Sequence, residues 1–278
     1  MSKIISICNR KGGVGKSTTA VNLGVYLAGL GKQVLLVDLD PQANATLALG
    51  INPNNLKATL YQVLIDNFSP EDIVKEIGIF GYKIIPSSTD LAGATVELVG
   101  LENREFKLKE ALSRLQTNYD YVLIDCPPSL CLLTVNGLVA SDKVIIPVQC
   151  EYFALNGLSQ LLDTISLVGK SLNPSLKIMG ALLTMHDRRL KLSWEVIKEV
   201  RRNFPGYVFD AVIPKCVSLA EAPRFGKTIF QYAPNSEGAN AYRELAQEII
   251  ELEKTAESNQ QSNIQHPTSN IQHPISNI

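Results

Sequence analysis

The stretch Lys11 to Thr18, read K-G-G-V-G-K-S-T, constrains this chain more than any other. It lies between an apolar run ending at Cys8 and an amphipathic run from Ala20 to Leu30. Strand, glycine loop and helix therefore follow in the order a phosphate-binding loop requires. Glycines let backbone N–H groups turn inward with no Cβ in the way, and the helix adds its positive N-terminal end at the same spot. An anion is what such a loop holds. In the general nucleotide-binding pattern Lys16 reaches the β- and γ-phosphates and the Ser17 hydroxyl binds Mg²⁺. Gly12, Gly13, Val14, Gly15 and Thr18 complete the cradle. Arg10 stands where the strict pattern has glycine, and Lys11 is a second lysine that a generic phosphate loop does not need.

The segments that follow set the fold class. Lys3 to Cys8 reads as a strand buried on both faces, Ser17 to Leu30 as a helix closed by Gly31, and Gln33 to Leu39 as a second buried strand. Strand, helix and strand over about 40 residues make a βαβ unit, which imposes parallel pairing and a right-handed crossover. Further strands are expected at Tyr82 to Pro86, Tyr119 to Asp125, Lys143 to Val148, Ile178 to Met185 and Phe209 to Pro214. Helical patterns fall at Leu60 to Asp66, Pro70 to Ile77, Leu91 to Val99, Arg104 to Leu115, Leu155 to Val168, Trp194 to Asn203 and Glu237 to Glu253. The expectation is an α/β fold: a doubly wound, mostly parallel sheet with helices on both faces and ligands at the strand carboxyl ends.

With 278 residues and 45% hydrophobic content, the chain can bury one substantial core over residues 1–254. From Ser262 onward it repeats S-N-I-Q-H-P with period seven. One isoleucine per repeat and two prolines predict disorder for Thr255 to Ile278, with His266 and His273 solvated rather than holding metal. Five cysteines without C-x-x-C spacing read as buried thiols of a cytosolic protein. No leader pattern precedes the first strand and no apolar run reaches the ~18 residues of a bilayer span, so a cytoplasmic protein is expected.

Net charge is −1, so bulk charge favours no partner. Its distribution is uneven: His186 to Lys227 carries nine Lys/Arg against five Asp/Glu. Three acids at strand ends accompany the glycine loop. Asp125 is placed to hold Mg²⁺ directly or through water. Of Asp38 and Asp40, one carboxylate could support the metal shell and the other orient an attacking water.

K-G-G-V-G-K-S-T at 11 to 18, V-D-L-D-P-Q-A-N-A-T at 37 to 46, D-C-P-P-S-L at 125 to 130, P-V-Q-C-E-Y-F-A-L at 147 to 155 and L-A-E-A-P at 219 to 223 together resemble the ParA/Soj family. These are deviant-Walker P-loop ATPases that partition chromosomes and plasmids, and the resemblance covers roughly residues 1 to 253. It implies that Lys11 is the signature lysine that crosses a dimer interface to the partner's nucleotide, with Gly12 leaving room for it. Lys16 and Ser17 keep their generic roles, Asp40 would position the hydrolytic water and Asp125 would be the Walker B acid. The family's last strand contacts adenine near Pro214, where Cys216 replaces the usual asparagine. Implied too are ATP and Mg²⁺, an ATP-bound homodimer, non-specific binding to double-stranded DNA at the nucleoid, and a ParB-like partner that stimulates slow hydrolysis. Arg189 stands where the family often carries a DNA-contacting arginine. A second such arginine is Ser218 here, with Lys215, Arg224 or Lys227 as its replacements.

Three readings from other classes share the loop. A MinD-like membrane-positioning ATPase needs a basic amphipathic C-terminal helix, whereas Lys254 is the last cation of this chain. An iron–sulfur ATPase of the nitrogenase type needs paired cysteines near a dimer axis, and Cys126 within D-C-P-P does not discriminate. An amidoligase such as a cobyrinic acid synthase is disfavoured because the length leaves no room for an appended amidotransferase domain. Only two residues precede the first strand, so no helix-turn-helix domain and no operator binding are expected.

Overall fold

The computed structural model describes residues 2–115, 118–151 and 158–265. In chain order, β1 (Lys3–Ile7) leads through the glycine loop into α1 (Lys16–Gly29) and β2 (Val34–Asp38). Next come α2 (Asn44–Ala48), α3 (Leu60–Ile65), α4 (Pro70–Ile73), the hairpin β3 (Lys75–Ile79) and β4 (Tyr82–Ile85), then α5 (Leu91–Glu97) and α6 (Lys107–Ser113). The second half runs β5 (Tyr121–Asp125), α7 (Leu132–Ala140), β6 (Lys143–Gln149), α8 (Leu158–Ser171), β7 (Lys177–His186), α9 (Lys191–Asn203) and β8 (Val208–Pro214). It closes with α10 (Val217–Glu221), α11 (Ile229–Tyr232) and α12 (Glu237–Gln265).

The strands form one eight-stranded sheet in the order β3-β4-β2-β5-β1-β6-β7-β8, parallel throughout except for the antiparallel β3–β4 pair. Successive side chains of a strand point to opposite faces, and here both faces are covered. Ile4 and Leu35 enter one hydrophobic core, while Ile5 and Leu36 enter the other. The first core is roofed from α3, α5, α6, α7, α8 and α9, the second from α1 and α12. Leu23, Leu27, Leu35 and Leu36 are fully enclosed, and each such burial stabilises by roughly 1.5–3 kcal/mol. The chain winds from β1 to β2 on one side of the sheet and reaches β6 on the other. The carboxyl end of β1 is thus a topological switch point, where open α/β sheets bind ligands.

Besides the short helices α2, α10 and α11, for which no element is expected, three stretches differ from the sequence expectation. The helical pattern expected over Pro70 to Ile77 stops at Ile73, and Lys75–Ile79 is an edge strand. Gly81, at positive φ, turns the hairpin, and Gly78, also at positive φ, sits where the β3–β4 register shifts, a long-range pairing that local 3.6 periodicity cannot register. Between Asp125 and Lys143 no element is expected, yet the apolar run L-L-T-V-N-G-L-V-A forms α7. Its Gly137 lies against β1 and β5, where an added Cβ would come 2.9 Å from the Cys126 sulfur.

The last helix extends well past Glu253. Residues 255–265, expected to be disordered, continue α12, because no glycine or proline interrupts the chain before Pro267 and a helix already nucleated by packing propagates at little cost. Glu253 is buried between Lys3 at 3.4 Å and Lys143 at 2.6 Å, and Glu257 pairs with Lys3 at 2.7 Å. The rest of the repeat, His266 and His273 included, lies outside the described residues, as does the start of the helix expected from Leu155. All five cysteines are free thiols, with Cys8, Cys126 and Cys150 buried. No described helix is long and apolar enough to cross a membrane.

Candidate nucleotide site

The loop after β1 is shaped by its glycines and tied down at three points. Gly13 and Gly15 stand at φ 72° and 89°, in the left-handed region that side chains other than glycine's resist. Asn9 receives the Lys11 N–H on its Oδ1 at 3.0 Å and donates its amide to the Pro147 carbonyl at 2.6 Å, anchoring the loop's start to β6. Thr184, at the end of β7, donates to the Val14 carbonyl at 2.9 Å. The Lys16 ammonium reaches back to the Lys11 carbonyl at 3.3 Å and closes the loop on itself.

Helix α1 begins at Gly15 with no side-chain cap and no acid in its first turn. Its first N–H groups are left for an external acceptor, and the helix dipole adds to the pull on an anion. The cleft above is lined by Gly12, Gly13, Gly15, Lys16, Ser17 and Thr18, and across from them by Asp40, Gln42, Pro128 and Lys227. The two lysines divide. Lys16 is buried, whereas the Lys11 side chain is 46% exposed and turns outward to Glu151 at 3.2 Å.

Asp38 and Asp125 end adjacent strands in direct register. Both are completely buried. Desolvation pushes the Asp38 carboxyl up to about 6 against its hydrogen bonds, and burial together with Asp38 raises Asp125 well above the usual carboxylate range. Their surroundings differ in one respect. Asp38 accepts from the Thr46 N–H at 2.8 Å, the Thr46 hydroxyl at 2.7 Å and the Asp40 N–H at 3.2 Å. Neither oxygen of Asp125 has a hydrogen-bond partner; the Ser17 hydroxyl and Lys16 ammonium offset its raised pKa only in part. A buried orphan carboxylate beside a serine hydroxyl has the hard oxygen donors a divalent cation selects. The geometry therefore favours Asp125, not Asp38, as the metal acid, and gives Asp38 the task of holding the turn that carries Asp40. Asp40 is 5% exposed and receives the Gln42 N–H at 3.0 Å.

Beside the cleft an apolar slot is walled by Met185, Ile213, Pro214, Cys216, Leu219 and Tyr242, and it shares Gly15 and Thr18 with the phosphate side. Pro214 and Cys216 thus lie together on the wall of this slot. Of the expected DNA cations, Lys227 lines the cleft and Lys215 the slot, whereas Arg189 and Arg224 line neither. Arg189 is 86% exposed, but its guanidinium is forked onto Asp187 at 2.9 and 2.7 Å. Lys215 is held nearby through its N–H to the His186 carbonyl at 2.9 Å. Arg224 sits on the turn Ala222–Phe225 at the cleft's far rim. Sequence reading passes over Asn9 and Thr184. Asn9 carries a local signal, an Asx turn onto the loop, whereas Thr184 meets the loop only through the folded sheet.

A P-loop between β1 and α1, a carboxylate pair at the neighbouring strand ends and an apolar slot beside them define a P-loop nucleotide-binding protein. Residues 2–178 match the family profile described as AAA domain. The chain is 54% identical over 249 residues to the sporulation initiation inhibitor protein Soj of Bacillus subtilis, covering 90% of this chain and 98% of Soj. It is 48% identical over 250 residues to the chromosome partitioning protein ParA of Myxococcus xanthus, covering 90% and 88%. Among solved structures, cobyrinic acid a,c-diamide synthase of Mycobacterium smegmatis with bound ADP and magnesium superposes with a TM-score of 0.82 at 38% identity, covering 92% and 97%. The chain belongs to the ParA/Soj family of partitioning ATPases. The diamide synthase chain is matched almost end to end, so length does not separate the amidoligase reading as the sequence expectation held.

Proposed function

We propose that this chain is a slow Mg²⁺-dependent ATPase whose nucleotide state switches it between a monomer and a dimer that binds double-stranded DNA without sequence preference, with a ParB-like partner stimulating hydrolysis. The observation that carries the reading is the division between the loop's lysines. Lys16 serves the chain's own cleft, while Lys11 faces outward from it, as a cation lent to a second protomer's nucleotide must. The site residues take these roles: Gly12 to Thr18 cradle the phosphates, Ser17 and Asp125 hold the magnesium, and Asp40 orients water. Pro214 and Cys216 border the base. Bound there, Mg²⁺ would neutralise charge on the phosphate oxygens.

DNA contact is assigned to Arg189 with Lys215 and Arg224. Affinity from phosphate contacts alone falls steeply with salt. A gel shift on random duplex DNA with ATP, ADP and no nucleotide, repeated for Arg189→Ala, tests the reading. Retardation with ATP only, weakened in the variant, supports it; identical binding in all three nucleotide states refutes it.

The similarity to the diamide synthase favours a second reading, ATP-dependent amide formation on a carboxylate substrate. Identities of 54% and 48% to Soj and ParA rank it second. It requires ATP turnover to depend on a carboxylic acid and an amine donor, which an assay of phosphate release with and without them decides.

A further inference from the structure

We propose that Thr184 is a positioning residue for the phosphate cradle: it fixes the Val14–Gly15 peptide so that the Gly15 N–H faces the bound anion. The inference rests on the nucleotide-binding reading above.

Thr184 lies 170 residues from the loop in sequence, yet its Oγ1 donates to the Val14 carbonyl at 2.9 Å inside the protein, with the residue 1% exposed. No described peptide is cis, and in a trans peptide C=O and N–H point to opposite sides of the bond. A carbonyl held toward β7 therefore sends the Gly15 N–H the other way, and Gly15 lines the phosphate cleft. Gly15 also starts α1, so this N–H stands at the positive end of the helix.

The tether matters at this peptide more than elsewhere in the loop. Gly15 stands at φ 89°, and a glycine neighbour lets a peptide plane flip at little cost. Thr184 is a stiff anchor: its χ1 is restricted by β-branching, its own carbonyl accepts the Cys150 N–H at 2.9 Å, and its methyl lies 3.9 Å from where a Gly15 Cβ would stand. Holding the donor in place before the ligand arrives removes an ordering cost from binding. An N–H to a charged oxygen is among the stronger hydrogen bonds, so its misalignment should cost about tenfold in affinity.

The test uses the full chain and Mg-ADP, with wild type, Thr184→Val and Thr184→Ser compared by calorimetry and by the assigned Gly15 amide resonance of ¹⁵N-glycine-labelled protein. Valine keeps the shape and removes the donor; serine keeps the donor. Thr184→Val should weaken ADP about tenfold and abolish the shift of the Gly15 amide on ADP addition, and Thr184→Ser should restore both. Should the valine variant not fold, Thr184→Ala carries the same expectation. A variant without the hydroxyl that binds ADP as tightly as wild type, or that weakens ADP with the Gly15 shift intact, overturns the proposal, as does failure of serine to rescue. Wild-type protein that binds no ADP overturns the nucleotide reading itself, a result distinguishable from all of these.

Discussion

Asp38 and Asp125 stand side by side on neighbouring parallel strands, both sealed from water, and only Asp125 is left without a hydrogen bond. Two carboxylates so close and so dry favour a shared proton or a cation between the phosphate loop and the sheet.

That arrangement has a signed pH consequence. The folded pKa of Asp38, about 6, lies above the ordinary carboxylate value, and Asp125 is shifted the same way. The folded state therefore binds more protons than the unfolded one over this window, so stability is present at low pH and is lost as pH rises from about 4 through about 6. Metal-free protein should melt higher at pH 5 than at pH 7. Asp125→Asn should flatten that difference and raise the melting point at pH 7 by about 5 °C, the effect of 1–2 kcal/mol in a chain of this size. Calorimetry at both pH values reads this; a variant less stable than wild type at pH 7 contradicts it.

Lys16 and Asp40 should fail differently. Lys16→Ala removes the buried cation of the cleft and should abolish measurable nucleotide binding. Asp40→Ala should bind ATP, turn it over at least about 100-fold more slowly, in the range of a lost general-base or water-orienting group, and stay on DNA. Equilibrium binding and phosphate release measured in parallel check both, and unchanged turnover in both variants defeats the assignment.

Glu151 holds Lys11 in an exposed ion pair. Such pairs are worth roughly 0.2–1 kcal/mol. Glu151→Gln should release Lys11 and tighten the dimer formed with a nonhydrolysable ATP analogue by no more than about fivefold. Sedimentation equilibrium measures it, and a weaker dimer would show that Glu151 acts across the interface instead.

Arg189 must loosen its fork onto Asp187 before meeting a phosphate. Arg189→Ala should lower the salt dependence of DNA binding by about 0.9 in the log–log slope for each phosphate left without its cation. Fluorescence anisotropy across a salt series gives that slope; one identical to wild type removes Arg189 from the interface.

Gly24, in α1, faces the buried Tyr82 ring, where an added Cβ would lie 2.3 Å from the phenol oxygen. That hydroxyl donates to the Val21 carbonyl at 3.1 Å, so the ring has nowhere to retreat. Gly24→Ala should destabilise by about 1–3 kcal/mol through overpacking, visible in urea unfolding. A neutral result would mean α1 can shift against the sheet.

The sequence by itself determined the parallel sheet, the phosphate loop and the acids at its rim, because these depend on short-range order: apolar runs, glycines at fixed offsets and aspartates where strands stop. Only the tertiary structure decided which acid keeps free coordination capacity. Asp38 and Asp125 read alike along the chain, and Thr46 distinguishes them by filling the lone pairs of one. It likewise decided that Lys75–Ile79 is a strand, since an edge strand exists only through its partner, and that α12 continues past Glu253, since a docked helix extends its own hydrogen-bond ladder. Thr184 belongs to the same group. Parallel sheets bring distant strand ends to one edge, so a hydrogen bond across 170 residues leaves no local trace.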